Sequence, residues 1–379
     1  MKNRPSPRKK IFLIGGARPN FVKIAALTRA FTSFKKAHPK SGLRWQVIHT
    51  GQHYDFLMVK SFFRDLDIPS PYIDLNVGSS PHGEQTAKII SRFEKVVLHE
   101  KPDLILVVGD VNSTLACSLV GVKVGIPVAH VESGLRSFDR TMPEEINRRV
   151  TDAVADYLFT TCRDADRNLI KEGIDPKSIF FVGNVMVDTL LVNLPKVHCS
   201  NIRKRLGLGG DYAVLTLHRP SNVDQENDFM EILKALEHIQ RCITIIFPVH
   251  PRTARRIKGS AVGEKMLGLQ NIKLTSPLRY LDFIALVNGA KLVLTDSGGI
   301  QEETTMLGVP CLTLRDNTER PVTINQGSNF LAGRESGNII RLADKILSRK
   351  GIKKFKKPTR WDGRAADRIV QVLSKKIGF

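Results

Sequence analysis

Three acidic side chains follow strand-like runs in the first half of this 379-residue chain. Asp110 ends the sequence LILVVGD, Glu132 lies in HVESGLRS, and Glu144 lies in PEEINRR. Taken singly, a helix cap explains Asp110 and a first-turn charge explains Glu144 more simply than chemistry does. Carboxylates that converge on one site can, however, have their pKa values driven apart and so divide acid and base roles. Their shared place at strand ends indicates a proton-transfer site.

A histidine stands in the comparable place in the second half of the chain. His218 closes a buried-strand pattern in VLTLHRP, and His250 follows the next such run in PVHP. An imidazole titrates near neutrality and suits proton transfer, although either histidine taken alone is more simply a hydrogen-bonded structural residue. The sequence contains no nucleophile elbow, no P-loop and no spacing typical of a metal site. We therefore expect acid/base chemistry without a metal.

Two glycine-containing turns are candidate anion sites. In GGARPN, Arg18 would offer a guanidinium to a phosphate, with Lys23 as a second positive charge; an ordinary turn with a surface arginine is the alternative. In TDSGGIQEE, small residues before a helix leave backbone N–H groups able to cradle a diphosphate. Glu303 would accept hydrogen bonds from ribose hydroxyls, or in the alternative would only complement the helix dipole. The predicted cradle consists of Ser297, Gly298 and Gly299.

These residues need a scaffold that brings strand ends together. Short β-branched runs alternate with amphipathic segments, which predicts βαβ units and parallel sheets. The strand candidates are 10–14, 45–49, 104–108, 128–131, 157–160 and 179–182, then 213–217, 244–247, 272–274, 292–294 and 311–314. The helix candidates of the first half are 19–34, 53–65, 83–100, 113–124, 144–155 and 164–172. We predict an α/β fold with two doubly wound, Rossmann-like domains at 1–190 and 191–362, and a last helix in 363–379 that crosses back to the first domain. Ligands of such sheets bind at the strand ends, so we expect the active site in a cleft between the domains.

Composition excludes several classes of protein. The chain is 42% hydrophobic and 25% charged, no apolar run is long enough for a membrane span, and no signal peptide precedes the first strand, which favours a cytoplasmic protein. The five cysteines are scattered and are expected to be free thiols. The net charge of +21 is concentrated in two short segments, at 1–10 and 349–360. No nucleic-acid-binding signature accompanies them, so we expect no nucleic-acid partner.

The motifs together resemble the non-hydrolysing UDP-N-acetylglucosamine 2-epimerases. The matching stretches, in the order of that family, are GARPNFVKIAAL, HTGQH, GDVNSTLA, HVESGLRS, PEEINRR, the GN-x-x-x-D motif at 183–188, HRPSNVD, PVHPRT, TDSGGIQEE and LRDNTERP. The resemblance implies a glycosyltransferase-B architecture, a homodimer, and interconversion of UDP-GlcNAc and UDP-ManNAc without a metal or nicotinamide cofactor. In that family a base removes the sugar C2 proton while UDP leaves C1, and UDP adds back to the 2-acetamidoglucal after reprotonation on the other face.

The resemblance also implies roles for single residues. It matches the acid/base positions to Asp110, Glu132, Glu144 and His218, and the substrate-binding positions to Arg18, Lys23, Ser297, Gly298, Gly299, Glu303 and Arg320. Leu278 and Phe283 fall where the family holds the uracil.

Departures from the family pattern leave the sugar open. Asn20 stands where many members have Glu, Pro220-Ser221 where they have Arg-Glu, and Tyr54-Asp55-Phe56 in a region that binds an activating UDP-GlcNAc in bacterial members. A 2-epimerase of a modified UDP-sugar and a glycosyltransferase of the same architecture remain alternatives, as do a hydrolysing relative and a non-catalytic nucleotide-sugar sensor.

Overall fold

Two parallel β-sheets organise the chain. The computed structural model describes residues 8–52, 62–348 and 355–379. Contacts divide the chain into a first unit, Met1–Val192 with Thr359–Phe379, and a second unit, Asn193–Pro358. Among the described residues, no helix is both long and apolar enough to span a bilayer.

The first unit contains a seven-stranded sheet in the order β3-β2-β1-β4-β5-β6-β7. Its strands are β1 (Lys9–Gly15), β2 (Leu43–His49), β3 (Ile73–Asp74), β4 (Leu104–Val108), β5 (Val128–Ser133), β6 (Tyr157–Thr160) and β7 (Ile179–Phe181). Every pair of neighbours is parallel. The strand order reverses between β1 and β4, which is the switch point where such sheets bind ligands, beyond the carboxyl ends of the strands.

Helices cover both faces of this sheet. They are α1 (Arg18–Ala37), α2 (His82–Glu100), α3 (Asn112–Lys123), α4 (Pro143–Val154), α5 (Arg163–Lys171) and α6 (Val185–His198), which crosses into the second unit. The side chains of α2 show why it packs: Ile89, Phe93 and Val97 recur every four residues and are buried against strand residues such as Phe12 and Val107. Proline in the first turn favours the start of α1 and of α4.

The second unit repeats the plan with a six-stranded sheet in the order β10-β9-β8-β11-β12-β13. Its strands are β8 (Tyr212–Thr216), β9 (Thr244–Pro248), β10 (Ile272–Thr275), β11 (Leu292–Thr295), β12 (Cys311–Thr313) and β13 (Asn329–Leu331). Its helices after α6 are α7 (Ile202–Arg205), α8 (Pro220–Val223), α9 (Glu226–Ile239), α10 (Pro251–Ile257), α11 (Ala261–Leu267), α12 (Tyr280–Asn288), α13 (Gly298–Leu307), α14 (Pro321–Asn325) and α15 (Ser336–Leu347). Here the order reverses between β8 and β11, so the segments after these two strands flank the switch point.

The end of the chain belongs to the first unit. The last helix, α16 (Ala365–Leu373), is held at its start by the carboxylate of Asp188, which accepts a hydrogen bond from the Ala366 N–H at 2.7 Å. Trp361 donates its indole N–H to the carbonyl oxygen of Thr161 at 3.0 Å. The Asp of the GN-x-x-x-D motif therefore caps the returning helix.

Most predicted strands lie within two residues of the observed ones. Two short strands, β3 and β13, were not predicted, because two or three residues are too few to show a pattern. The predicted helix at 53–65 lies largely outside the described residues, and its end at 62–65 is helical.

Candidate active site

Glu132 occupies a strained position at the end of β5. Its φ is 74°, in the left-handed region that side chains other than glycine rarely adopt. The pairing of β5 with β6 shifts between Val131 and Ser133, so Glu132 is the extra residue of a β-bulge. Bulges of this kind redirect a side chain, and here the carboxylate forms an ion pair with the ammonium of Lys23. Both side chains are 5% exposed, so this is a buried pair of opposite charges.

Asp110 lies in the turn after β4, two residues beyond its last residue. The Nε and Nη2 atoms of Arg148, on α4, both donate to its Oδ2, at 3.0 and 2.8 Å. Arg148 is buried and its Nη1 also donates to Glu145 at 2.8 Å. The carboxylate of Asp110 is 23% exposed, so one buried arginine orients an acid that solvent can reach.

The turn after β1 lies beside these acids. Asn20, on α1, accepts hydrogen bonds from the backbone N–H groups of Gly16 and Ala17 and donates to the carbonyl oxygen of Val108 on β4 at 2.9 Å. These hydrogen bonds connect the predicted anion-binding turn after β1 to the end of β4, on the other side of the switch point. Arg18 begins α1, but its side chain lies outside the described part of the chain.

The two adjacent acids of PEEINRR have different surroundings. Glu145 is buried and accepts hydrogen bonds from the N–H and hydroxyl of Ser137, at 2.8 and 2.9 Å, as well as from Arg148. Glu144 is half-buried in the first turn of α4. Glu145 thus stabilises the fold, and Glu144 is the acid of this motif that solvent reaches.

In the second unit, His218 and Asp296 face each other across the switch point. The Nδ1 atom of His218, after β8, lies 2.8 Å from Oδ1 of Asp296, after β11. The other carboxylate oxygen, Oδ2, accepts the backbone N–H groups of His218 and Arg219 at 2.9 and 2.8 Å. Burial raises the pKa of Asp296, but the imidazole and these donors outweigh it and bring the pKa to about 2. Asp296 is fully buried, while the side chain of His218 is 39% exposed. The buried carboxylate therefore fixes the orientation of an imidazole ring that solvent can reach.

The predicted cradle is the start of α13. Ser297 precedes the helix as its N-cap, and Gly298 is the first helical residue. A side chain at Gly298 would collide with the guanidinium of Arg320 and would lie 2.7 Å from Oε1 of Glu319, so a larger residue there would displace this ion pair. Arg320 is buried between two acids, with its Nε 2.8 Å from Glu302 and its Nη1 paired with Glu319. The N-terminus of α13 is therefore surrounded by charged side chains that are paired with side chains of opposite charge.

Glu303 lies one turn further along α13 and is buried. The hydroxyl of Tyr280, on α12, donates to its Oε1 at 3.0 Å. Burial raises the pKa of Glu303 to about 8, with a further contribution from the charge of Glu302 and an opposing one from Tyr280. Leu278 and Phe283 pack, partly buried, against the hydrophobic cluster around Tyr212 and Leu286 of the same unit.

The structure brings some of the predicted residues together within each unit: Lys23 and Glu132 beside the turn that carries Asp110 in the first, and Gly298 beside Arg320 in the second. In the first unit, Lys23 and Glu132 form one pair, and a side chain at Gly109 would lie 2.6 Å from Nζ of Lys23. For Glu144, the described part of the chain shows no such contact.

Sequence reasoning missed the residues that orient the predicted site residues: Arg148 orients Asp110, Asp296 orients His218, and Tyr280 orients Glu303. Asp296 could have been recognised from the sequence, because it directly precedes the predicted cradle. Nothing in the sequence linked Arg148 to Asp110. Among the described residues, no group of three His, Cys, Asp or Glu side chains has the arrangement of a metal site.

Comparison with known proteins identifies the family. A sequence model described as UDP-N-acetylglucosamine 2-epimerase matches residues 35–374. The chain belongs to the UDP-N-acetylglucosamine 2-epimerase family. The UDP-N-acetylglucosamine 2-epimerase of Methanocaldococcus jannaschii is 43% identical to it over 371 residues, which are 96% of this chain and 99% of that protein. The crystal structure of that epimerase in complex with UDP-GlcNAc and UDP matches with a TM-score of 0.89 at 44% identity, and covers 97% of this chain and 99% of its own.

A second member of this epimerase family differs in its named sugar. The UDP-2,3-diacetamido-2,3-dideoxy-D-glucuronate 2-epimerase of Pseudomonas aeruginosa is 38% identical over 346 residues, which are 90% of this chain and 93% of that protein. The predicted family and the predicted α/β fold with two Rossmann-like sheets are confirmed.

Proposed function

We propose that this chain is an isomerase that interconverts UDP-GlcNAc and UDP-ManNAc by epimerisation at C2 of the sugar. The observation that carries the proposal is the 43% identity, over nearly the full length of both chains, to a UDP-N-acetylglucosamine 2-epimerase. The oriented acid/base groups of the site support it, because the reaction needs a proton removed from one face of C2 and returned to the other.

In the proposed reaction, a base takes the proton from C2. The electron pair of the C2–H bond forms a C1=C2 double bond, and the C1–O bond breaks so that UDP leaves with its electrons. Protonation of the 2-acetamidoglucal at C2 from the opposite face, with return of the UDP oxygen to C1, gives the epimer. Asp110, Glu132, Glu144 and His218 share these proton transfers.

The leaving diphosphate needs positive charge and hydrogen-bond donors. The hydroxyl of Ser297 and the backbone N–H groups of Gly298 and Gly299 provide donors at the N-terminus of α13, since the N–H of Ser297 already donates to Oγ1 of Thr295 at 3.0 Å, and Arg320 provides a guanidinium. Because Arg320 is paired with Glu302 and Glu319, a diphosphate would compete with these carboxylates for it. Arg18 and Lys23 are the proposed cations of the first unit.

Contacts to the nucleoside complete the proposed site. Glu303 accepts from the ribose hydroxyls, and the backbone of Leu278 together with Phe283 holds the uracil. A carboxylate accepts two such hydrogen bonds better than a carboxylic acid does, so we expect the proton of Glu303 to leave as the ribose binds. The proposal also includes a homodimer in the cytoplasm that supplies ManNAc-type sugars for surface polysaccharide.

A modified UDP-sugar is the second candidate substrate. Its support is the 38% identity to the diacetamido-glucuronate epimerase of Pseudomonas aeruginosa, together with Asn20 and Pro220-Ser221 in motifs where many family members differ.

The deciding experiment is proton NMR of UDP-GlcNAc with the purified chain in D2O without added metal. We expect UDP-ManNAc to form with deuterium at C2, which establishes epimerisation through proton abstraction. If UDP binds and UDP-GlcNAc remains unchanged, the named sugar is wrong, and the diacetamido sugar is tested in the same assay. Free ManNAc would indicate a hydrolysing enzyme instead.

A further inference from the structure

His130 is a fully buried histidine on β5 that the proposed reaction does not use. Its Nδ1 lies 2.6 Å from Oδ1 of Asp152 on α4, and its Nε2 lies 2.8 Å from the carbonyl oxygen of Gly109. It stands two residues before Glu132, and Gly109 directly precedes Asp110. One ring therefore connects β5, α4 and the turn that carries a proposed catalytic acid.

Both partners of this ring accept hydrogen bonds. A backbone carbonyl oxygen is only an acceptor, and so is an ionised carboxylate. Asp152 is ionised because its second oxygen accepts the Gly134 N–H at 3.0 Å and the Nη1–H of Arg136 at 2.7 Å. A neutral imidazole has one N–H and would leave one close contact without a proton, whereas an imidazolium satisfies both.

The surrounding charges accommodate a cation at this position. Asp152 and Glu172 carry the negative charges, and Arg136 bridges them, with its Nη2 2.6 Å from Glu172. Glu172 is 27% exposed and also lies 3.8 Å from Nε of Arg149, so the fully buried carboxylate of this group is that of Asp152, between Arg136 and His130. The Lys23–Glu132 pair on the other side of Gly109 is itself balanced.

We propose that His130 is a positioning residue that, as an imidazolium, holds the Gly109–Asp110 peptide in place for proton transfer. Gly109 has a φ of 69°, which glycine adopts readily, and it has no side chain of its own to restrict the turn, so contacts with its surroundings fix this peptide. Arg148 orients the carboxylate of Asp110, while His130 fixes the backbone from which that side chain extends. The catalytic part of this inference rests on the proposed epimerase activity.

Two variants remove the two hydrogen bonds of the His130 ring one at a time. In His130→Gln the amide nitrogen can reach the place of Nε2 and keep the bond to Gly109, whereas in His130→Asn it can reach the place of Nδ1 and keep the bond to Asp152. Both lose one buried hydrogen bond, and His130→Gln loses the stronger one, to the ionised Asp152, so we expect it to be the less stable of the two although it keeps more activity. We expect kcat to fall about 100-fold in His130→Asn, the loss that a displaced catalytic group can cause. His130→Gln should retain at least ten times more activity, and both variants should keep KM within about twofold.

The variants must first be shown to fold, by melting temperature and by UDP affinity in calorimetry. Equal kcat losses, or a change in KM in place of kcat, would overturn the positioning role. If either variant fails to fold, ¹⁵N NMR of the histidine-labelled natural chain decides the proposal, and this measurement does not depend on epimerase activity. Both ring nitrogens of His130 should carry protons, with the Nε2 proton hydrogen-bonded to a carbonyl; a His130 ring with one N–H refutes the proposal. A chain that shows the doubly protonated ring but does not turn over UDP-GlcNAc refutes the proposed function alone.

Discussion

Replacing Asp296 by asparagine should invert the tautomer of His218 and stop turnover while UDP still binds. Oδ2 of Asp296 accepts two backbone N–H groups, at 2.9 and 2.8 Å, and receives the amide of Asn222 at 3.3 Å. In the variant, the amide oxygen must take this position, since an amide NH2 cannot accept those donors. The NH2 group then takes the place of Oδ1, 2.8 Å from Nδ1 of His218. Nδ1 must become an acceptor, which leaves the proton on Nε2, so that the proposed base can no longer accept one.

The size of the effect follows from this geometry. A buried Asp→Asn change that imposes the wrong histidine tautomer costs about 10⁴ in kcat in serine hydrolases. We expect about 10³- to 10⁴-fold here, or roughly 4 to 5.5 kcal/mol in the barrier. Stability should also fall. The pKa of Asp296 is about 2 against an ordinary 3.8, so ionisation stabilises the fold by about 2.5 kcal/mol above that ordinary pKa, and this is lost as the pH falls through about 2.

The assay is the rate of deuterium incorporation at C2 in D2O, with UDP affinity measured by calorimetry on the same samples. Asp344→Asn is the matched control, because Asp344 also pairs with a histidine, His238 at 3.1 Å, but on the exposed surface between α9 and α15. It should leave kcat unchanged. A kcat of Asp296→Asn within threefold of the natural chain refutes the tautomer argument, and a parallel loss of UDP affinity would indicate that the site has collapsed instead.

Three further changes test the surroundings of the site. Because the pKa of Glu303 is raised to about 8, the stability of the natural chain should fall between about pH 4.5 and pH 8, by up to roughly 5 kcal/mol, and Glu303→Gln should abolish this dependence in urea unfolding. Asp188→Ala removes the acceptor of the Ala366 N–H, should cost about 1 to 2 kcal/mol, and should speed proteolytic release of α16. Gly109→Ala places a methyl group 2.6 Å from Nζ of Lys23 in a left-handed turn, and should lower both kcat and melting temperature.

Each of these has a contradicting result. An unchanged pH profile of unfolding in Glu303→Gln would show that the carboxyl is not the group that titrates. Proteolysis at the natural rate in Asp188→Ala would show that packing alone holds α16. Natural kcat in Gly109→Ala would show that the turn tolerates displacement of the lysine.

Hydrophobic patterning was sufficient to predict most of the fold. Buried parallel strands such as β4 and β11 are continuous apolar runs, and they were predicted to within one residue because burial on both faces dictates their composition. The edge strands β3 and β13 escaped prediction because pairing with a neighbour, and not their own composition, makes them strands.

The sequence by itself determined the family, the two Rossmann-like sheets and the chemical groups at their strand ends, since these depend on local composition and on motifs read along the chain. Only the tertiary structure decided how those groups are held. Arg148 reaches Asp110 across 38 positions of sequence, and Asp296 reaches His218 across 78. The left-handed bulge at Glu132 likewise arises from pairing between β5 and β6. Hydrogen bonds and ion pairs act over a few ångströms of space, and folding, not sequence separation, sets which side chains lie within that range.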